Sequence, residues 1–438
     1  MSVRWQKRGK RRVMKMKKAR ILFTVIFAMV CVTFSVLSVN AQELTKVPTG
    51  ALSVKDFGAV GDGVTDDTVA FVTALTTANG KELYIPAGTY VVNGGVVTDG
   101  IDINIIGIGK PMIQLVTQKS NTRCMDLRNA QSIKVTGVAF DAYREVYGEQ
   151  GNIACMYIFD SNNININNCR FQNCFKEGIT LASAKPVGNN LLENISITNN
   201  TFYNTSDNVW VKCRVKNFTF SGNSSELSIG TGVEFVSGEV AEDVVISNNY
   251  FKNFRNGNAI KLLDCKNVKI TGNQMENCIF GIRVFVSEHL VDGVPACENV
   301  LISENVFNDG ESGKTCTPIV FLTPTAFDES RYLYDNIEIS FNEFSTTNGI
   351  TVAYVENLYL YGNKSDIKGD SFPYVFHRCD NVYMTDELVR SVKKTMCRTF
   401  KTNNVYMDNV DYTCESLFYV QGSKLNIYVT NMRGNFNA

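Results

Sequence analysis

A degenerate unit, roughly Asn-Φ-x-Ile-x-x-Asn-x-Phe with Φ aliphatic, recurs through the C-terminal two thirds of this 438-residue chain. It reads Asn-Ile-Asn-Ile-Asn-Asn-Cys-Arg-Phe from Asn163 and Asn-Ile-Ser-Ile-Thr-Asn-Asn-Thr-Phe from Asn194. It returns from Asp243, Asn267, Asn299, Asn336 and Asn357, with weaker copies from Asn217, Asn381 and Asn404, mostly 21 to 26 residues apart. A period of that length marks a solenoid. Apolar residues alternate within each unit, so each supplies a short strand with one buried face. The Leu-x-x-Leu-x-Leu frame of leucine-rich repeats is absent. Short Val/Ile strands closed by Asn and Gly turns predict an all-β fold, a right-handed parallel β-helix. Such a stack grows coil by coil on one core, so 438 residues do not force several domains.

The first 41 residues read as a signal peptide. Ten of the 43 basic residues and none of the 43 acidic ones lie there, ahead of an apolar run from Ile21 to Val39 and a small-residue site at Val39-Asn40-Ala41. Cleavage after Ala41 is expected, with export to the periplasm, cell surface or medium; an uncleaved anchor is the alternative. The remainder carries a net charge of about −10, which argues against a nucleic-acid partner. Twelve cysteines follow the leader, several within strand-like stretches. Free, stacked thiols are expected there, with Cys169 and Cys174 the pair near enough in sequence to consider for a bridge. No spacing reads as a zinc site.

Residues 42–100 form an expected cap with the first strands, and 101–438 the coils, as one domain. The cap opens with Asp56-Phe-Gly-Ala-Val-Gly-Asp-Gly-Val-Thr-Asp-Asp-Thr-Val-Ala and runs into a helix, with Thr65 or Asp66 as its cap and Val69, Phe71, Val72 and Leu75 on its apolar face. Leu83-Tyr-Ile-Pro-Ala-Gly-Thr-Tyr-Val-Val then reads as strand, turn, strand. This stretch resembles the opening of the pectate lyase-like β-helix proteins, whose members include rhamnogalacturonases, epimerase-like enzymes and phage tailspikes. The resemblance implies a carbohydrate-active protein with a polysaccharide substrate. Asp62, Asp66 and Asp67 are candidate Ca²⁺ ligands, although turn-forming and capping are the ordinary uses of such carboxylates.

A second strand precedes most repeats: Gly178-Ile-Thr-Leu, Asn208-Val-Trp-Val, Gly232-Val-Glu-Phe, Ala259-Ile-Lys-Leu, Gly281-Ile-Arg-Val and Gly349-Ile-Thr-Val. Alternation turns the middle residue outward. The outward row is therefore Thr180, Trp210, Glu234, Lys261, Arg283 and later Thr351, with Tyr157 ahead of it. Trp210, Tyr157 and Lys212 are candidate substrate-binding residues, since rings stack on apolar sugar faces. The bland alternative is a solvated ion-pair row of little energetic weight. His289 and His377 read as structural, and insertions at 183–190, 286–297 and 309–332 can wall a groove.

The polygalacturonase and rhamnogalacturonase branch carries Asn-Thr-Asp-Gly-Ile-Asp, Gly-Asp-Asp, Gly-His-Gly and Arg-Ile-Lys on successive coils. Here the matching coils hold Asn204-Thr-Ser-Asp-Asn-Val-Trp, Gly230-Thr-Gly-Val-Glu, Asn256-Gly-Asn-Ala-Ile-Lys and Gly281-Ile-Arg-Val-Phe. The resemblance carries over only Asp207 and Arg283. Two catalytic schemes stay open. In β-elimination on an acidic glycan, Lys261 is the base and Arg283 the carboxylate clamp, and similar lyases often add Ca²⁺. In glycoside hydrolysis, Asp207 and Glu234 are the carboxylate pair. A glycan-binding protein without catalysis is the third possibility.

Overall fold

The computed structural model describes residues 46–116, 122–142, 153–185, 190–236, 240–286, 296–310, 315–322, 332–392, 395–422 and 425–434, without the side chain of Arg255. The leader, His289 and most of the three insertions lie outside these residues. The described part, within the compact unit Lys46–Ala438, is a parallel β-helix with three faces. One face is a 15-stranded parallel sheet built from the Asn-Φ-x-Ile strands, in which Ile166, Ile197, Phe220, Ile246 and Ile270 follow one another inward. A second face carries the motif's Phe strands. The third carries the Gly-x-x-x strands, from Val96–Asp99 to Ser416–Gln421. The strands Tyr250–Leu263 and Gln274–Phe285 run around the corner between the second and third faces.

Each polar position of the repeat has its own structural cause. The first Asn sits at a corner with φ near +55°, as at Asn163, Asn194, Asn217 and Asn267. Asn tolerates this left-handed region better than any other residue with a β-carbon. A second Asn, such as Asn199 or Asn248, turns the next corner in the same conformation. The following residue points inward and builds a buried ladder of Asn200, Asn223, Asn249, Asn273, Asn305, Asn342 and Asn363. In each step the backbone N–H and Nδ2 of one Asn both donate to Oδ1 of the next, at 2.8–3.1 Å. The motif's Phe closes the unit. Phe140, Phe171 and Phe202 stack with centroids 5.2 Å apart. Ser225 interrupts that column, and Phe220 from the neighbouring face fills the gap between Phe202 and Phe251.

The cap differs in detail from the expectation. The helix spans Thr68–Ala78 with Asp67, not Thr65 or Asp66, as the residue before it. Asp67 does not cap through its side chain; its carboxylate accepts from the backbone N–H groups of Val60 and Gly61. Asp66 instead accepts from the N–H and hydroxyl of Thr68. Phe71, Ala74, Leu75 and Ala78 are buried over the first coil, with Phe71 edge-on to Tyr90, whereas Val69 faces solvent. All twelve cysteines from Cys124 to Cys414 are free and buried, including Cys169 and Cys174, and Cys265 and Cys297 are partners in adjacent strands. His377 packs between the rings of Tyr354 and Phe400. Among the described residues, no helix is long and apolar enough to cross a membrane.

Candidate functional site

Parallel register stacks residues of the third face directly over one another. The strand partners run Asp126, Tyr157, Thr180, Trp210, Glu234, Lys261, Arg283, Val320 and Thr351. Adjacent coils lie ~4.8 Å apart, so Trp210, Glu234, Lys261 and Arg283 occupy four consecutive rungs. The row is not uniformly open. Thr180 is buried, and its hydroxyl donates to Glu177 Oε2 at 3.3 Å. Trp210 is half-buried, and Lys212 Nζ lies 4.2 Å from its ring centroid, so a cation already occupies one ring face. Its indole N–H is buried without a partner among the described residues.

Lys261 Nζ donates to Glu234 Oε1 at 2.5 Å, with both side chains largely covered. Arg283 lies 4.4 and 4.5 Å from the centroids of Phe280 and Phe285, and burial lowers its pKa. Its Nη1 donates to Asn258 Oδ1 at 3.4 Å. Asn258 Nδ2 in turn reaches Thr231 Oγ1 at 3.3 Å, and the Thr231 N–H donates to Asp207 Oδ1 at 2.5 Å. A polar chain therefore runs from Arg283 to Asp207 across four coils.

Asp207 sits at the corner where its strand begins, and the glycine after that coil is what lets it be gripped. A β-carbon on Gly230 would come within 2.2 Å of Asp207 Oδ1, and one on Gly257 within 1.7 Å of the Gly230 carbonyl. Bare backbone here brings the Thr231 N–H onto the carboxyl. Burial pushes the Asp207 carboxyl up to about 7, helped by the nearby charges of Glu234 and Glu177 and opposed by the Thr231 N–H. Because Oδ1 accepts the backbone N–H, the proton belongs on Oδ2. A half-buried carboxyl that keeps its proton near neutrality can act as a general acid.

Sequence reasoning passed over four residues of this neighbourhood. Glu177 is buried and is the strand partner of Asp207. Thr231 and Asn258 form the links just described. Asp126 caps the row at its N-terminal side, accepting from Arg128 Nε and Nη2 at 2.7 and 2.8 Å. The Arg123 guanidinium lies 4.2 Å from the centroid of Tyr157, whose phenol is half-buried and pushed up by burial. The motif carboxylates of the cap do not fit a cation. Asp62 accepts from Val64 and Thr65, which pull its pKa down to about 2, and Asp66 and Asp67 are engaged as turn formers. Among the described residues, no cluster of three or more Asp, Glu, His or Cys side chains is placed to hold a metal.

Three comparisons bear on the lineage. The profile of the family described as rhamnogalacturonase A/epimerase, pectate lyase-like, matches residues 51–283. Mannuronan C5-epimerase AlgE2 of Azotobacter vinelandii is 36% identical over 104 residues, covering 21% of this chain and 9% of that protein. Plasmin and fibronectin-binding protein A of Streptococcus pneumoniae is 24% identical over 336 residues, covering 59% of this chain and 45% of that protein. The chain thus spans under half the length of these relatives. Among solved structures, pre-mature gene product 12 of bacteriophage phi29 superposes with a TM-score of 0.58 at 17% identity, covering 93% of this chain and 58% of that one. The family 28 exopolygalacturonase of Yersinia enterocolitica gives 0.51 at 13% identity, covering 88% and 77%. At such identities the superpositions speak for the fold, a parallel β-helix. With more than half of its residues matched, the chain belongs to the rhamnogalacturonase A/epimerase, pectate lyase-like family of carbohydrate-active β-helix proteins.

Proposed function

We propose that this chain is an exported glycoside hydrolase that cleaves an acidic polysaccharide along its third face, with Asp207 as proton donor. The observation that carries this reading is the half-buried Asp207 carboxyl, gripped at Oδ1 by the Thr231 N–H with Glu234 nearby, an environment in which burial raises its pKa to about 7. One carboxyl keeps a proton for the leaving oxygen. The other, receiving the Lys261 ammonium, is the ionised partner that activates water or attacks the sugar. Lys212, Lys261 and Arg283 flank the pair and suit the carboxylates of a uronic acid chain. The same ion pair weighs against Lys261 as the base of a β-elimination, because a proton directed at Glu234 leaves no lone pair for a C–H bond. The basic and then apolar leader supports export, with cleavage after Ala41.

The test follows ultraviolet absorbance and reducing ends together on pectic, alginate and glycosaminoglycan polymers. Reducing ends without absorbance are expected, and lost in Asp207→Asn. Absorbance rising in step with reducing ends would overturn hydrolysis in favour of elimination. A second reading, binding without cleavage, draws on the plasmin- and fibronectin-binding relative; retention of a glycan with neither product would favour it.

A further inference from the structure

The core changes character behind Asp207. In nearby coils a Gly of the third face abuts the motif's Phe of the second. A β-carbon on Gly178 would come within 3.0 Å of the Phe202 ring, one on Gly232 within 2.6 Å of Phe251, and one on Gly281 within 2.5 Å of Phe307. The coil of Asp207 holds Asn208 and Ser225 at these two positions. Large and small are exchanged, and Phe220 restores the ring volume where the adjacent coils carry Ile197 and Ile246. Hydrogen bonds replace the ring contact. Asn208 Nδ2 donates to Ser225 Oγ at 2.7 Å, while its Oδ1 accepts from Thr205 Oγ1 at 2.6 Å and Ser228 Oγ at 2.8 Å. All four side chains are fully buried. A buried polar network that is satisfied in this way makes one arrangement of its members far better than any other.

Thr205 lies two residues before Asp207, and Ser228 three before Thr231. Asn208 Oδ1 therefore ties together the two segments that carry the two ends of the hydrogen bond from the Thr231 N–H to Asp207. We infer that Asn208 is a positioning residue for Asp207, a staple between the corners 205–208 and 228–231 that fixes the carboxyl against the Thr231 N–H. The inference rests on the reading of Asp207 as proton donor only for its catalytic consequence. The Ile229 and Gly230 N–H groups, donating to the Thr205 and Ser206 carbonyls at 3.2 and 2.9 Å, join the same segments through the backbone. Coils with glycine in place of Asn208 have no side chain there to add a second tie. The polar quartet thus occurs in the coil where the placement of one carboxyl matters most.

The test separates position from stability. Asn208→Gly, Ser225→Phe and Phe220→Ile together give this coil the packing of its neighbours, and leave the Thr205 and Ser228 hydroxyls, 3.2 Å apart, to bond each other. Two measurements are made on the full chain: amide hydrogen exchange at Thr231, and kcat separately from KM. The Thr231 amide should exchange at least ~10-fold faster than in wild type while the Val209 amide, bonded to the Gly232 carbonyl, holds. Where the wild type cleaves glycans, kcat should fall ~10- to 100-fold with KM changed by about twofold or less. Asn208→Ala should act in the same direction on both, and serves alone where the triple variant does not fold. A Thr231 amide as protected as in wild type, in a folded variant, overturns the inference. Protection lost with kcat unchanged, or in a protein without glycan cleavage, upholds the staple and removes Asp207 as proton donor.

Discussion

A carboxyl that holds its proton to about 7 in the folded chain costs stability once it ionises. In the unfolded chain the same group titrates near its ordinary 3.8. Between those values the folded state binds the proton and the unfolded state does not, so stability falls as pH rises through this window and the full cost is present above 7. Asp207→Asn removes the ionisation and keeps an acceptor for the Thr231 N–H. We expect it to be more stable than wild type at pH 8 by on the order of 1–3 kcal/mol, a range already reduced for partial solvent screening. The gain should vanish at pH 4, as read by melting temperature at both pH values. Activity should fall roughly 100-fold or more if Asp207 is the acid. Equal stability at pH 8 would mean that the carboxyl ionises there without cost. At the far end of the row, Arg283→Lys keeps the charge but loses the planar donors that reach Asn258. It should raise KM for an acidic polymer several-fold with less effect on kcat.

The coils are held by side-chain ladders whose members are not interchangeable. In the inner ladder, Asn249 Oδ1 accepts from the N–H and Nδ2 of Asn223 while its own Nδ2 donates to Phe220 O and Asn273 Oδ1. Asn249→Ala therefore strands several buried groups at once and should cost ~2–4 kcal/mol in urea unfolding. Asn194→Ala, in the exposed corner ladder, should cost ~0.5 kcal/mol or less beyond the loss of a residue suited to its positive φ. The inner ladder ends on a carboxyl. Glu387 Oε1 takes the place of the next Asn, and Oε2 accepts from Tyr374. Burial pushes Glu387 up to about 7, so Glu387→Gln should stabilise at pH 8 and be neutral at pH 4 by the linkage already described for Asp207. Much of this element-level order was legible in the chain. Strict alternation fixes which residue faces outward, so Trp210, Glu234, Lys261 and Arg283 could be aligned from spacing alone. The corner chemistry was not legible, because it arises between coils: the grip on Asp207 depends on Gly230 and Thr231, and Glu177 lies just outside the alternating stretch that was aligned. Spacing made Lys261 and Glu234 neighbours but did not reveal the 2.5 Å contact between them, since it gives neighbours and not the geometry of their side chains.

For the whole molecule, a stack in which each coil touches only its neighbours should fray from its ends, and the two ends differ. At the N-terminal end Phe71, Ala74, Leu75 and Ala78 cover the first coil. At the other, all five residues of the strand Asn426–Thr430 are exposed, with Ile427 and Val429 40–41% accessible. Nearest-neighbour stability then predicts a gradient of amide hydrogen exchange: fastest in the coil containing Asn426–Thr430 and slowest in the central coils carrying Asp207 to Arg283. Phe71→Ser separates this picture from a single cooperative unit. It removes the largest side chain of the cap helix, at a cost of roughly 3 kcal/mol or more. If the coils are coupled only to neighbours, protection should drop in Leu83–Ile85 and Thr89–Asn93 and hold in Asp207–Val211 and Ala259 to Arg283. The site would then keep its geometry while the N-terminal end opens, and activity at 25 °C should be retained. A uniform loss of protection along all coils would instead show that the cap helix stabilises the stack as a whole, and that the row from Trp210 to Arg283 depends on a helix more than a hundred residues away in sequence.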